Sequence, residues 1–137
     1  MFRNTTAALA IISLSSISAF ANEDDHVVTP DTVQASVTQV VADLDKANRS
    51  LAYMSITNNL SVAIVLRDVK TDTGRAFMYK MAKIFGTTVQ KNVDFLNINP
   101  GKTVTFQSEP YRLNMPKGST QIELNFGPKG DLSVPVN

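Results

Sequence analysis

The chain alternates between short stretches rich in β-branched and aromatic residues and short clusters of Gly, Pro, Asn and Asp. This spacing is typical of the strands and turns of a β-sandwich or barrel. We predict strands over residues 33–42, 51–58, 62–69, 76–84, 87–98, 103–107, 111–115, 121–126 and 132–136. The pattern therefore predicts an all-β Greek-key fold of about eight or nine strands.

Two of these segments also have features of a helix. Residues 33–44 carry apolar side chains at helical spacing, and residues 77–85 contain good helix formers. Periodicity does not separate helix from strand in such short segments. We assign both to strands because each contains or adjoins many β-branched residues, which favour strands.

The first 21 residues have the pattern of a secretory signal peptide. Arg3 is the only charge before Glu23, and an apolar run leads to the small-residue site Ala19-Phe20-Ala21. The run is interrupted by serines and is shorter than the roughly 20 apolar residues that span a membrane. We predict export to the periplasm with cleavage after Ala21. Residues 22–32 are then a mobile acidic lead-in, and residues 33–137 form one domain.

Composition narrows the classes of partner. Thirteen basic and twelve acidic residues give a net charge of +1, and removal of Arg3 with the signal makes the chain neutral. Proteins that bind nucleic acid usually carry a clear basic excess. We expect no nucleic-acid partner, no membrane insertion after signal cleavage, and a monomer. Since the chain has no cysteine, a packed core must supply its stability.

Residues for catalysis are scarce. His26 is the only histidine and lies in the predicted lead-in, whereas a catalytic triad needs a rigidly held imidazole. A zinc site needs three or four Cys, His or carboxylate ligands. Asp43 and Asp45 adjoin a predicted turn, where aspartate is common as a solvated residue. We therefore predict that the protein is not an enzyme.

Several segments, in order along the chain, resemble one family. Residues 52–58, Ala-Tyr-Met-Ser-Ile-Thr-Asn, resemble the "AYM-x-I-x-N" strand of the PCu(A)C periplasmic copper chaperones. Gly74-Arg75 precedes a strand, and residues 96–104 resemble the family's "L-x-I-P-A-G-x-T-V" turn. Phe126 with residues 130–136 resembles its C-terminal hairpin. The resemblance spans residues 33–136 and implies a cupredoxin-like β-sandwich.

The resemblance also implies a metal site, and here the chain departs from the family. The family binds Cu(I) through His, Met and a His-x-Met pair, with ten and then twenty-one residues between successive ligands. Aligned on Gly74-Arg75, these positions fall on Tyr79, Gln90, Arg112 and Asn114. The spacing is kept, but all four ligands are replaced.

The replacements do not suit a soft ion. A phenol with a pKa near 10 is a poor ligand, amide oxygens are hard donors, and a guanidinium has no lone pair to donate. Arg112 and Asn114, two residues apart on a strand, should share one face. We therefore predict that Tyr79, Gln90, Arg112 and Asn114 form a polar patch in a binding module that contacts a periplasmic protein and has lost the inherited Cu(I) site.

An alternative keeps copper. Met81 should share the face of Tyr79, whereas Met115 should point away from that face unless a one-residue bulge rotates it back. Thioethers suit Cu(I), although methionine is also a common residue of protein cores. Under this alternative the protein is a metallochaperone that uses Met81 and Met115 as relocated, weak Cu(I) ligands and delivers copper to a periplasmic or membrane acceptor.

Overall fold

The computed structural model describes residues 26–136, which form strands, turns and one 3₁₀ turn. The strands are β1 (Val33–Ala42), β2 (Arg49–Asn58), β3 (Ile64–Leu66), β4 (Asp68–Thr71), β5 (Gly74–Arg75), β6 (Phe77–Ile84), β7 (Thr87–Val93), β8 (Leu96–Ile98), β9 (Thr103–Phe106), β10 (Tyr111–Pro116), β11 (Gln121–Asn125) and β12 (Asp131–Pro135). The predicted all-β class is confirmed. The two segments with helical features are the strands β1 and β6.

Three sheets enclose one hydrophobic core. Strands β1-β2-β9-β10-β6-β7 form a six-stranded sheet, β12-β11-β4-β5 form a four-stranded sheet, and β3 pairs with β8. All three contribute side chains to the core, including Met54 from β2, Leu66 from β3 and Leu124 from β11. Burial of large apolar side chains from every sheet is the main stabilising term in such a sandwich.

Two predicted strands are each divided in the structure. Residues 62–69 are split at Arg67, and residues 87–98 are split at Asp94 and Phe95. On one side of each break the chain forms the β3–β8 pair, and on the other side it joins a larger sheet. The additional strands therefore arise because the chain changes partner, while its local conformation stays extended.

The packed domain begins before the predicted boundary at residue 33. Val28 is only 5% exposed and belongs to the core, and its amide donates to the carbonyl of Lys129 at 2.8 Å. The hydroxyl of Thr32 accepts from the Thr29 amide at 2.8 Å. Residues 28–32 thus belong to the folded unit. The predicted signal peptide and residues 22–25 lie outside the described residues.

Strand β10 lies inside the six-stranded sheet, and its alternation determines where the predicted site lies. Leu113 and Met115 point into the core, whereas Arg112 and Asn114 occupy the outer face. The loop between β1 and β2, residues 43–48, lies against this outer face through contacts described below. The sheet thus supplies a rigid base, and the loop covers it.

Candidate functional site

The register of three neighbouring strands brings the four positions at which the resemblance implies copper ligands onto one face. Tyr79 on β6 lies directly opposite Arg112 on β10, and Asn114 follows on the same face of β10. On the other side of β6, Gln90 of β7 lies opposite Met81, two residues from Tyr79. Directly opposite residues in a sheet have Cβ atoms about 5 Å apart. Tyr79 and Arg112 are therefore close neighbours, whereas Gln90 and Asn114 lie at opposite ends of the group.

The loop over this face is held by its own hydrogen bonds. The Asp43 amide donates to the Arg49 carbonyl at 3.1 Å, which closes the loop at its base. The Asp43 carboxylate accepts from the Asp45 amide at 3.0 Å, the local turn that aspartate favours. Asn48 takes a left-handed conformation, with φ of 62°, which asparagine tolerates better than most residues. These features direct the loop across β6 and β10.

Asn114 is the centre of a buried network. Its side chain is 1% exposed; its Oδ1 accepts from Arg49 Nε at 2.6 Å, and its Nδ2 donates to the Asp43 carboxylate. Asp43 is itself 8% exposed, so the prediction of a solvated turn residue is wrong for this aspartate. A buried carboxylate requires hydrogen-bonded partners, and Asn114 provides one. Both polar atoms of the Asn114 amide are thereby occupied within the protein.

Two cations cover the neighbouring positions. The Lys46 ammonium donates to Tyr79 Oη at 3.1 Å and lies 4.6 Å from the centre of that ring. The Arg112 guanidinium lies 3.6 Å from the Asp45 carboxylate and donates to the Ser108 carbonyl at 3.4 Å. Lys46 thus makes both a hydrogen bond and a cation–π contact with the phenol. The face where the resemblance implies copper therefore carries the cations Lys46 and Arg112 beside the carboxylates of Asp43 and Asp45.

Sequence reasoning did not identify Asp43, Lys46 and Arg49 as site residues. These three come from the β1–β2 loop and its end, whereas their partners lie 33 to 71 residues further along the chain. A cluster of opposite charges at residues 43–49 is the only signal in the sequence. That signal does not specify a partner, because it does not contain the register between β2, β6 and β10.

The methionines divide between the two faces of the sheet. Met54, Met78 and Met115 belong to the core, and Met115 lies opposite Ser50 with no shift in register along β10. Met81 lies on the outer face with Tyr79 and is also largely buried. Among residues 26–136 it is the only methionine on that face. The structure therefore does not bring Met81 and Met115 together.

The donor set on this face does not fit Cu(I). It offers one thioether, two amides, a phenol and the hard carboxylate oxygens of Asp43 and Asp45, together with the cations Lys46 and Arg112. A soft monovalent ion prefers thiolate, thioether or imidazole ligands, and nearby cations repel it. Within the described residues there is also no cluster of three or more His, Cys, Asp or Glu side chains suited to a metal.

A shallow cavity opens beside the network. It measures about 280 Å³ and is lined by residues from the β1–β2 loop, from β2 and from the neighbourhood of Arg112, among them Leu44, Asp45, Tyr53, Ser108 and Arg112. Leu44 is almost fully exposed at the top of the loop. The outer face therefore combines a fixed polar base with an accessible apolar side chain.

Comparisons with known proteins place the fold. Neither family models nor curated proteins match the sequence. Solved structures do match. A copper-bound PCuAC domain from PmoF2 is 16% identical, with 77% of this chain and 90% of that chain covered and a TM-score of 0.56. The apo PmoF2 PCuAC domain is also 16% identical, with 77% of this chain and 87% of that chain covered and a TM-score of 0.57. An apo PCuAC domain from PmoF1 also matches, at 16% identity, with 77% of this chain and 93% of that chain covered and a TM-score of 0.55.

Between residues 26 and 136, no helix has the length and apolar character needed to cross a membrane. The predicted strands, their pairing into a sandwich and the structural neighbours agree with one another. At 16% identity this likeness shows the fold alone. The chemistry of the site follows only from the side chains that this chain carries there. This chain has the cupredoxin-like β-sandwich fold of the PCuAC domains.

Proposed function

We propose that the protein is an exported, non-enzymatic binding module that keeps the PCuAC scaffold and has no tight Cu(I) site at the inherited position. The observation that carries this proposal is the state of Asn114. Its amide is buried and bound on both sides, by Arg49 at 2.6 Å and by Asp43. A ligand position engaged in this way is part of the protein's own polar structure.

Two free-energy costs oppose copper at this position, although the Asp43 and Asp45 carboxylates lie nearby. An ion entering between Tyr79 and Arg112 would have to displace the Lys46 ammonium and approach a permanent guanidinium. Breaking the contact of Asn114 with Asp43 would leave one oxygen of a buried carboxylate, Oδ2, without its partner, which costs about 1–3 kcal/mol or more for a charged group. One thioether does not offset these costs.

The contact surface that we assign to a periplasmic protein partner is the top of the β1–β2 loop. Leu44 protrudes there, and the cavity of about 280 Å³ lies beside it. The hydrogen bonds between the loop and β10 hold this surface in a fixed conformation, which lowers the entropy lost on binding. We propose that the protein acts as a monomer whose loop docks into a complementary apolar pocket.

The second candidate function is a Cu(I) metallochaperone that uses Met81. This residue is buried on the same face as Tyr79 and lies opposite Gln90. A copper-bound structural neighbour supports a role for the scaffold in copper binding. Met115 is not available as the second ligand without a rearrangement of β10, because it points into the core.

Anaerobic Cu(I) titration against a competing chelator separates the two functions. The mature protein is compared with Met81→Leu and with the double variant Arg112→His/Asn114→Met, which restores the ligand pair. We expect no tight site in the wild type and a partial gain in the double variant, since Tyr79 and Gln90 remain. A stoichiometric, tight wild-type site that disappears in Met81→Leu would establish the metallochaperone instead.

Export is tested separately by mass spectrometry of the protein from the periplasmic fraction. We propose a periplasmic location, and an N-terminus at Asn22 would agree with cleavage after Ala21. A mature protein that retains Arg3 would contradict it. The binding role is tested by crosslinking from position 44 in the periplasm, with Leu44→Asp as the variant expected to lose the crosslinked partner.

A further inference from the structure

The hairpin of β6 and β7 extends beyond the rest of the sheet. Strand β10 pairs with β6 from Phe77 to Lys80, and the Met81 amide makes one further bond to the Pro110 carbonyl at 2.6 Å. From residue 82 to residue 89 the two strands pair with each other. We call residues 82–89 the hairpin arm; they carry the turn away from the body of the domain.

The turn at the end of the hairpin arm breaks a rule of local conformation. Ile84 pairs with Thr87, so Phe85 and Gly86 form a two-residue turn, with φ of 51° and 80°. Turns with two positive φ values favour Asn-Gly, because a bulky residue is strained there. The Phe85 ring is fully exposed and Ile84 is partly exposed, so no packing within the described domain compensates for the strain.

The charges of the hairpin break a second rule. Lys80 lies directly opposite Lys91, an arrangement of like charges that destabilises a sheet, and Lys83 lies on the other face. Residues 76–93 contain no Asp or Glu, although the chain as a whole is nearly neutral. The flanking acids are Asp94 at the root of the hairpin and Glu109 in the turn beside Met81. Positive charge is thus concentrated behind an apolar tip.

Two departures from local rules in one hairpin indicate a function for it. We propose that the hairpin arm docks on an anionic lipid surface, with Phe85 and Ile84 at the level of the lipid headgroups and the lysines facing the phosphates. The chain rests on such a surface without spanning it. This inference is independent of the proposed loss of copper binding.

A lipid surface fits the arm better than a protein does. A specific protein interface buries about 800 Å² on each partner, whereas one aromatic side chain buries roughly 150–250 Å². Ile84 and Phe85 supply only part of a protein interface, whereas aromatic residues beside lysines are well suited to a membrane interface. Lys83 lies two residues, or about 7 Å, from Phe85, so it reaches the headgroups when the ring enters them.

The test measures binding of the mature protein to two kinds of vesicle. One kind is phosphatidylcholine with about 30% phosphatidylglycerol, which is anionic, and the other is pure phosphatidylcholine. We expect binding to the anionic vesicles only. Phe85→Asn should weaken it about tenfold or more while raising the unfolding midpoint, because asparagine is favoured at this turn position. Phe95→Asn, at an exposed phenylalanine outside the hairpin arm, is the matched control and should bind as the wild type does.

A second pair of variants tests the charges. Lys80→Gln/Lys91→Gln should reduce the partition coefficient of the protein onto the anionic vesicles by roughly 25-fold, because each lysine near the surface contributes about fivefold. Lys102→Gln/Lys117→Gln removes the same charge from exposed positions elsewhere and should have little effect. Because the chain has no tryptophan, Phe85→Trp also gives a unique reporter, whose emission should shift to the blue on anionic vesicles.

Three results would overturn the proposal: no vesicle binding by the wild type, unchanged binding by Phe85→Asn, or equal losses in the two lysine pairs. The last would mean that overall charge, and not the hairpin arm, drives the association. Binding to an acidic protein that depends on Phe85, without binding to vesicles, would likewise reject the lipid surface as the partner.

Discussion

A single amide at position 114 makes the outer face of the sheet a polar network. Asparagine has a donor and an acceptor, and the structure uses the donor for Asp43 and the acceptor for Arg49. A methionine at the same position would satisfy neither charged group. Thioether ligation and the network therefore exclude each other, and the choice depends on one side chain.

We predict that Asn114→Ala lowers the free energy of unfolding by about 2–4 kcal/mol, because it leaves a buried carboxylate and a guanidinium without their shared partner. Urea denaturation measures the change. Asn97→Ala is the control, since Asn97 is exposed and bonds to Asn99 at 2.8 Å; it should cost less than about 0.5 kcal/mol. Equal losses in the two variants would show that the network contributes no special stability.

Part of this site could be predicted from the sequence. Residue spacing and strand alternation place Arg112 and Asn114 on one face, and the register adds Tyr79 and Gln90. The β1–β2 loop could not be placed, because its contacts join residues up to 71 positions apart. Charged residues near a turn look alike in sequence whether they are solvated or, like Asp43, buried.

Among the secondary-structure elements, the turn between β4 and β5 is tied to the start of β11 by one carboxylate. Asp72 accepts from the Thr120 hydroxyl at 2.6 Å, from the Thr120 amide at 2.9 Å and from the Gln121 amide at 3.2 Å. The hydrogen bond from the Thr120 hydroxyl, followed by that from its amide, lowers the pKa of Asp72. Bonds to the ionised form favour that form.

This lowered pKa predicts a sign for the dependence on pH. A carboxyl group with a lower pKa in the folded state contributes stability above the unfolded value, near 4, and loses it as pH falls through the folded value. The stability difference between the wild type and Asp72→Asn should therefore shrink below about pH 4. Denaturation curves recorded from about pH 2.5 to about pH 7 measure this stability difference. A difference independent of pH would contradict the prediction; Asp94→Asn is an exposed control.

Strand positions could be predicted well, and strand partners could not. The segment at residues 33–42 is β1 as predicted, because its breakers and β-branched residues act locally. The break at Arg67 has no such local signal: its amide bonds to the Asn125 carbonyl at 2.8 Å, where the chain passes from one sheet to another. Partner exchange depends on distant pairing, which a pattern along one segment does not contain.

For the molecule as a whole, the folded unit starts at the N-terminal side of β1. Val28 belongs to the core, so Val28→Ala should lower the free energy of unfolding by about 1–3 kcal/mol. The adjacent Val27 is 41% exposed, and Val27→Ala should change stability by less than about 0.5 kcal/mol. Thermal unfolding of both variants checks this, and equal shifts in the two would mean that residues 26–28 are not packed in solution.

The whole molecule also gives an independent test of copper. On the proposed function, the packed core holds the fold without a metal. A ligand at 100 times its dissociation constant stabilises the folded state by about 2.7 kcal/mol. For a chain of this size that raises the melting temperature by roughly 10 °C. We expect no such shift when Cu(I) is added anaerobically to the wild type, and a smaller positive shift in Arg112→His/Asn114→Met measured from its own, lower baseline. A wild-type shift near 10 °C would require a tight site and would reject the proposed loss of copper binding.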